Sequence, residues 1–178
     1  MKKFIVLFAL VLSVLTLAAC TNEENELEAV GLNGLTGKEI LNGVADGSID
    51  IEGFGLSVYD DELIVIIDGD RIPVAMPKDE FYLSVAPYIN MTHECLYHSA
   101  TGCRGELKSE TVFVEFVKDD GTVLISKEMS TMSNGFIDFW LPRDIEGTMT
   151  ITQGELSVSK VISTVKGEAT CETTMRLS

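Results

Sequence analysis

The sequence predicts an α+β protein, mainly β, with a small N-terminal helix and strand region followed by an antiparallel β-sandwich-like C-terminal region. Three observations lead there. A single capping-box spacing introduces one short helical run, β-branched and aromatic runs recur through the rest of the chain, and acidic or Asp-Gly clusters separate those runs. The length of 178 residues suits one domain, or two small ones sharing a core. With 28 Asp and Glu against 13 Lys and Arg, a net charge of −15, the chain lacks the basic face that nucleic-acid binding demands.

The elements follow in order. Residues 1–19 form an apolar run behind Lys2 and Lys3 that ends in small residues, the form of an export signal. Leu17-Ala18-Ala19-Cys20 has the form of a lipobox and resembles bacterial lipoproteins. Cleavage before Cys20 and lipidation of its thiol are therefore expected, holding the protein on the extracytoplasmic side of a bacterial membrane through acyl chains. Loss of Lys2 and Lys3 makes the charge balance more acidic still. Residues 20–34 are acidic and polar with little to bury, which reads as a tether. Thr36-Gly37-Lys38-Glu39 then sets the capping box before Ile40, Leu41 and Val44, predicting a helix over about residues 37–46 that ends near Gly47.

Strand patterns take over at residues 54–59, 63–67 and 71–75, parted by Asp60-Asp61-Glu62 and Asp68-Gly69-Asp70. They complete an α/β region over residues 35–88, toward whose end Pro73, Pro77 and Pro87 limit regular structure. A soft boundary is placed at about residues 80 to 90. Beyond it, residues 89–178 are β-rich. Runs 111–117 and 122–126 flank the hairpin turn Asp119-Asp120-Gly121, and further runs cover 135–141, 148–152, 156–165 and 170–177. Phe136, Phe139 and Trp140 read as core or interface aromatics. The acidic turns lack the spaced ligand set of a calcium loop and read as solvated connections.

Four cysteines look like an even disulfide set until Cys20 is assigned to the anchor, which leaves Cys95, Cys103 and Cys171. Outside the cytoplasm an odd thiol points to a reactive group, an intermolecular bridge or a metal ligand. Both histidines, His93 and His98, lie with two of those thiols inside the eleven residues from His93 to Cys103. If residues 91–95 form a strand, Met91, His93 and Cys95 share one face as thioether, imidazole and thiol donors. The span from Cys95 to Cys103 is about 26 Å as a strand and about 12 Å as a helix, whereas a disulfide brings Cα atoms within about 7 Å. For the two to act together the segment must fold back. His98-Ser99-Ala100-Thr101-Gly102 supplies a tight loop, with His98 at its tip and Gly102 free to take positive φ. Arg104 stands beside Cys103 as a cation able to favour the thiolate. Soft thiolate and thioether donors suit Cu(I), while zinc in a Cys3His arrangement is the alternative. Cys171 is the natural third thiol, set against the reading of a buried small hydrophobe; Met175 shares its face if the strand continues.

The run Pro87-Tyr88-Ile89-Asn90, then Thr92-His93-Glu94-Cys95, then His98-Ser99, then Cys103-Arg104-Gly105-Glu106-Leu107 resembles the signature of the CueP family of copper-binding bacterial envelope proteins. That family carries a Cys-x7-Cys motif and a third cysteine near the C-terminus, where Cys171 lies. The resemblance implies copper binding through the three cysteines with histidine assistance, in copper tolerance or copper delivery. It also implies, from some members, supply of copper to a periplasmic superoxide dismutase and reduction of Cu(II) to Cu(I) by the thiols. The lipobox departs from a soluble periplasmic member, so an anchored protein that scavenges copper at the membrane is an alternative to delivery.

Two further readings stand beside copper binding. One is a thiol redox protein, ranked lower because the spacing is not Cys-x-x-Cys and no thioredoxin-like βαβ unit surrounds it. The other is an interaction lipoprotein with one inert Cys95 to Cys103 disulfide. Hydrolase chemistry is disfavoured by the absence of a G-x-S-x-G elbow.

Overall fold

Residues 23–178 are described in the computed structural model of the chain; the expected signal, the lipobox and Cys20 lie outside them. Among the described residues no helix is long and apolar enough to cross a membrane. Residues 23–29 are helical (α1), and the stretch expected to bury little does bury Leu32, which is 1 % exposed and packs with Leu27 and Val30 against the N-terminal core. Its acidic composition hides three apolar side chains on one turn-and-helix surface.

Thr36 caps the second helix (α2, Gly37–Asp46) as expected, its hydroxyl accepting from the Glu39 N–H while the Glu39 carboxylate accepts from the Thr36 N–H at 2.8 Å. Gly47, in the left-handed region, ends it. Ile40 and Leu41 are buried on a three-stranded antiparallel meander of β1 (Gly55–Val58), β2 (Glu62–Ile67) and β3 (Asp70–Ala75). Asp68 and Gly69 both take positive φ, the two-residue hairpin that joins β2 to β3 with matching twist.

β4 (Glu80–Val85) falls where the prolines were expected to limit regular structure. The strand escapes pattern reading because both its faces are covered, so Phe81 to Val85 are all buried and no polar alternation marks it. β4 pairs antiparallel with β7 (Ile137–Pro142) and parallel with the two-residue β10 (Cys171–Glu172). Phe81, Leu83, Val85, Ile137, Phe139 and Leu141 face the larger core, whereas Tyr82 and Trp140 face the helix and meander. The expected boundary at about residues 80 to 90 thus falls on a strand that serves both cores.

The larger core is closed by a four-stranded antiparallel sheet of order β6-β5-β8-β9, formed by β5 (Thr111–Lys118), β6 (Val123–Ser130), β8 (Glu146–Gln153) and β9 (Leu156–Ser163). Val112, Val114, Phe116, Met149 and Ile151 alternate inward from it. The molecule is therefore mainly β, with a sandwich in its C-terminal part. Two expectations are corrected. Residues 91–95 form no strand, and the last strand stops at Glu172, so Met175 enters the larger core while Cys171 lies in a small separate cluster.

Candidate metal centre

That small cluster joins Ala86, Phe136 and Cys171 with the half-buried Cys95, Cys103 and Met132. Its floor is made by pairing. The Ser84 N–H donates to Thr170 O at 2.9 Å and the Ala86 N–H to Glu172 O at 2.8 Å, which sets Cys171 beside β4, 3 % exposed.

The loop above the floor is tied at several points. The Glu106 carboxylate accepts from the backbone N–H groups of Ile89 at 2.7 Å, Asn90 at 2.8 Å and Met91 at 3.2 Å. Those bonds favour the charged form and hold its pKa down to about 2. The Thr92 hydroxyl donates to Thr173 O. Farther on, the N–H groups of Gly102 and Cys103 both donate to Ser99 O, at 3.1 and 2.9 Å, so the chain reverses as expected and brings the Cys95 and Cys103 sulfurs to 3.6 Å. Gly102 contributes by its size rather than by positive φ: a Cβ there would stand 2.7 Å from Ser99 Oγ. Gly105 and Gly135 cross so closely that a Cβ on either would come within 2.6 Å of the other's carbonyl oxygen.

His98 is not at an exposed tip but is 1 % exposed. Its N–H donates to Thr170 Oγ1 at 3.0 Å, its carbonyl accepts from the Val58 N–H at 2.8 Å, and the Thr170 hydroxyl donates to Val58 O at 2.6 Å. The backbone that carries the imidazole is thus fixed between β1 and the Cys171 strand. The ring's Nδ1 stands 3.7 Å from Cys171 Sγ, and its buried Nε2 has no hydrogen-bond partner. A buried polar atom left so is costly unless something ligates it, which fits a metal-binding role for the ring. Phe136 packs against both imidazoles, with ring centroids 4.7 Å from His98 and 6.3 Å from His93.

Two sets of donor atoms result. His93, Cys95 and Cys103 have ligand atoms within 4.8 Å of one another, and so do His98, Cys103 and Cys171. Cys103 belongs to both. All three cysteines are free thiols. Hydrogen bonding from the Cys171 thiol pulls the Cys103 pKa down, aided by His98, the Ser99 N–H and His93. The same bond, seen from its donor, pushes Cys171 up, and burial adds to it; burial likewise pushes Cys95 up. The arrangement offers one thiolate at Cys103 flanked by two thiols and two imidazoles.

Other expected participants are placed differently. Met91 is 72 % exposed on an irregular segment rather than on a strand face with His93 and Cys95. The Arg104 guanidinium turns back to the carbonyls of Cys103, at 2.7 Å, and Thr101, at 3.2 Å, so it serves the backbone instead of the thiol. Thr170 and the Glu106 clasp had no assigned role in the sequence, and Phe136, read there as a core or interface aromatic, also packs against the imidazoles. Thr170 lies 72 residues from the His98 N–H it accepts, and no local spacing reveals such a contact. Behind His98, a cavity of about 450 Å³ opens between α2 and the loop, reached also by Asp138, whose carboxylate accepts from the Ser84 hydroxyl at 2.6 Å.

The family model described as "Periplasmic copper-binding protein CueP" matches residues 46–176. A solved structure titled "Crystal Structure of S.CueP" is 34 % identical, covering 88 % of this chain and 97 % of that one with a TM-score of 0.80. No curated protein matches the chain. The clustered thiols and buried imidazole thus occur in a chain whose family and fold agree, and the protein belongs to the CueP family of periplasmic copper-binding proteins.

Proposed function

We propose that this protein holds Cu(I) in the cell envelope through Cys95, Cys103 and Cys171, with imidazole assistance from His98 and His93. The observation that carries the reading is the meeting of thiol and imidazole donors around Cys103 in two sets, each within 4.8 Å. Thiolates are soft donors that select Cu(I), and low coordination suits three-ligand sets better than the four-coordinate shell of structural zinc. Met91, 72 % exposed, is outside the core of this ligand set. The family resemblance supports service in copper tolerance or delivery, with an envelope copper protein such as a superoxide dismutase as the kind of acceptor. The lipobox supports an anchor at Cys20, whose acyl chains would keep the domain at the membrane.

The test is competition of the reduced protein for Cu(I) against a colorimetric chelator, with Zn(II) as a second titrant. Wild type is expected to withdraw Cu(I), and the variant with Cys95, Cys103 and Cys171 all replaced by Ser to lose that capacity. Unchanged copper stoichiometry in the triple variant, or preference for Zn(II), overturns the reading. The anchor is checked separately by the mass of the N-terminal peptide and by release of Cys20→Ala into the soluble fraction.

A redox reading has its own support in the 3.6 Å approach of the Cys95 and Cys103 sulfurs. Two thiolates can give one electron each to two Cu(II) ions and close a disulfide, yielding two Cu(I). Loss of two thiols per protein on adding Cu(II) is the expected result; an unchanged thiol count contradicts it.

A further inference from the structure

We propose that the ligands form two copper sites in series that share Cys103: an outer triad, His93–Cys95–Cys103, that admits Cu(I), and an inner triad, His98–Cys103–Cys171, that retains it. The inference rests on the Cu(I) reading above and adds a division of labour to it.

Each triad by itself supplies one imidazole and two sulfurs, a complete low-coordinate donor set for Cu(I). A single ion has no use for all five donors at once. The triads differ in access. His98 and Cys171 are 1 % and 3 % exposed, so two of the inner site's three donors are buried, whereas no donor of the outer triad is. The outer triad lies on the loop, where Cys95 and Cys103 are half-buried and His93 is exposed. Phe136 covers both rings and leaves an apolar surface between them, through which a bare cation would not pass. The remaining path is the shared sulfur. Cys103 suits a pivot because its backbone N–H is fixed to Ser99 O at 2.9 Å and its sulfur accepts from the Ser99 N–H at 3.4 Å.

The transfer balances without an outside reagent. Cu(I) begins on His93, Cys95 and Cys103. Bonds to Cys171 Sγ and the His98 imidazole form as those to Cys95 Sγ and the His93 imidazole break, while the bond to Cys103 persists. The proton lost by the Cys171 thiol passes to the Cys95 thiolate, and copper remains Cu(I) throughout. The reverse sequence returns the ion to the surface for a partner or a competing ligand.

The full-length reduced protein, its Cys-to-Ser and His-to-Ala variants, and a chromophoric Cu(I) chelator test the division by measuring equilibrium affinity and exchange rate together. His93→Ala and Cys95→Ser are expected to slow exchange by about tenfold or more while lowering the affinity less than Cys171→Ser does, and Cys171→Ser to lower the affinity by about tenfold or more. His93→Ala and Cys95→Ser both lie on the accessible loop, so the rate comparison does not depend on replacing a buried residue. The proposal is overturned if the outer variants exchange copper at the wild-type rate, or if they lose as much affinity as Cys171→Ser. Wild-type protein that fails to take Cu(I) from the chelator would instead overturn the copper reading itself.

Discussion

Cys103 carries more of the site than its sequence position suggests. It stands in both donor sets, and its thiol is the one whose surroundings favour the charged form, while those of Cys95 and Cys171 are pushed the other way. In the reduced, metal-free protein at about pH 6, an alkylating reagent should therefore label Cys103 before the other two, because the thiolate is the nucleophile. Peptide mass mapping of a partial reaction checks the order, and prior labelling of Cys95 would contradict it. Glu106 gives a second residue-scale prediction. Its folded pKa of about 2 lies below the ordinary 4.5, so its stabilising effect is complete above about pH 4.5 and is lost as the pH falls toward 2. Glu106→Gln should lower stability at neutral pH and flatten the acid limb of the stability curve, measured by urea unfolding at a series of pH values. A variant curve parallel to wild type at all pH values would show that the clasp on residues 89–91 contributes nothing.

The elements differ in how plainly the sequence marks them. The helix Gly37–Asp46 was legible because its capping box and its glycine stop are contacts between near neighbours. The hairpins were legible for the same reason, through Asp68-Gly69 and the Gly121 turn. β4 was not, since a strand buried on both faces loses its alternation, and β10 was not, since two residues paired in parallel with a distant strand have no pattern at all. The alternation of Met91, His93 and Cys95 looked like a strand, yet no neighbouring strand pairs with it among the described residues, and the Glu106 clasp holds the backbone only at its start, at Ile89, Asn90 and Met91. The crossing of Gly105 over Gly135 makes an element-scale test. Gly135→Ala adds a Cβ 2.6 Å from Gly105 O at a φ of 87°, and should destabilise the fold by about 2 kcal/mol or more. Thermal unfolding checks this, and the loss of Cu(I) retention should accompany it because the crossing seats Phe136 over His98.

At the scale of the whole molecule, the β4–β7 pair is a wall with a core on each side. Phe81 and Tyr82 are adjacent residues with different cores, both fully buried. The two parts should therefore unfold together. Fluorescence of Trp140, the single tryptophan, reports the helix side through its bond to Asn42 at 2.9 Å, and the far-ultraviolet signal reports the sheets. Their denaturation curves are expected to coincide; two separate transitions would refute the shared wall. Phe81→Ala should cost about 3–5 kcal/mol in that single transition. The sequence by itself determined the inventory of candidate ligands, the need for the chain to reverse if Cys95 and Cys103 are to act together, and the helix and hairpins, because all of these are set by residue type and short-range spacing. Only the tertiary structure decided that His98 is buried rather than exposed, that Arg104 turns away from the thiol, and that Cys103 is the sulfur common to two donor sets. The physical reason is that these depend on pairings across 72 to 112 residues, from Thr170 to His98 and Val58, which bring Cys171 to the loop.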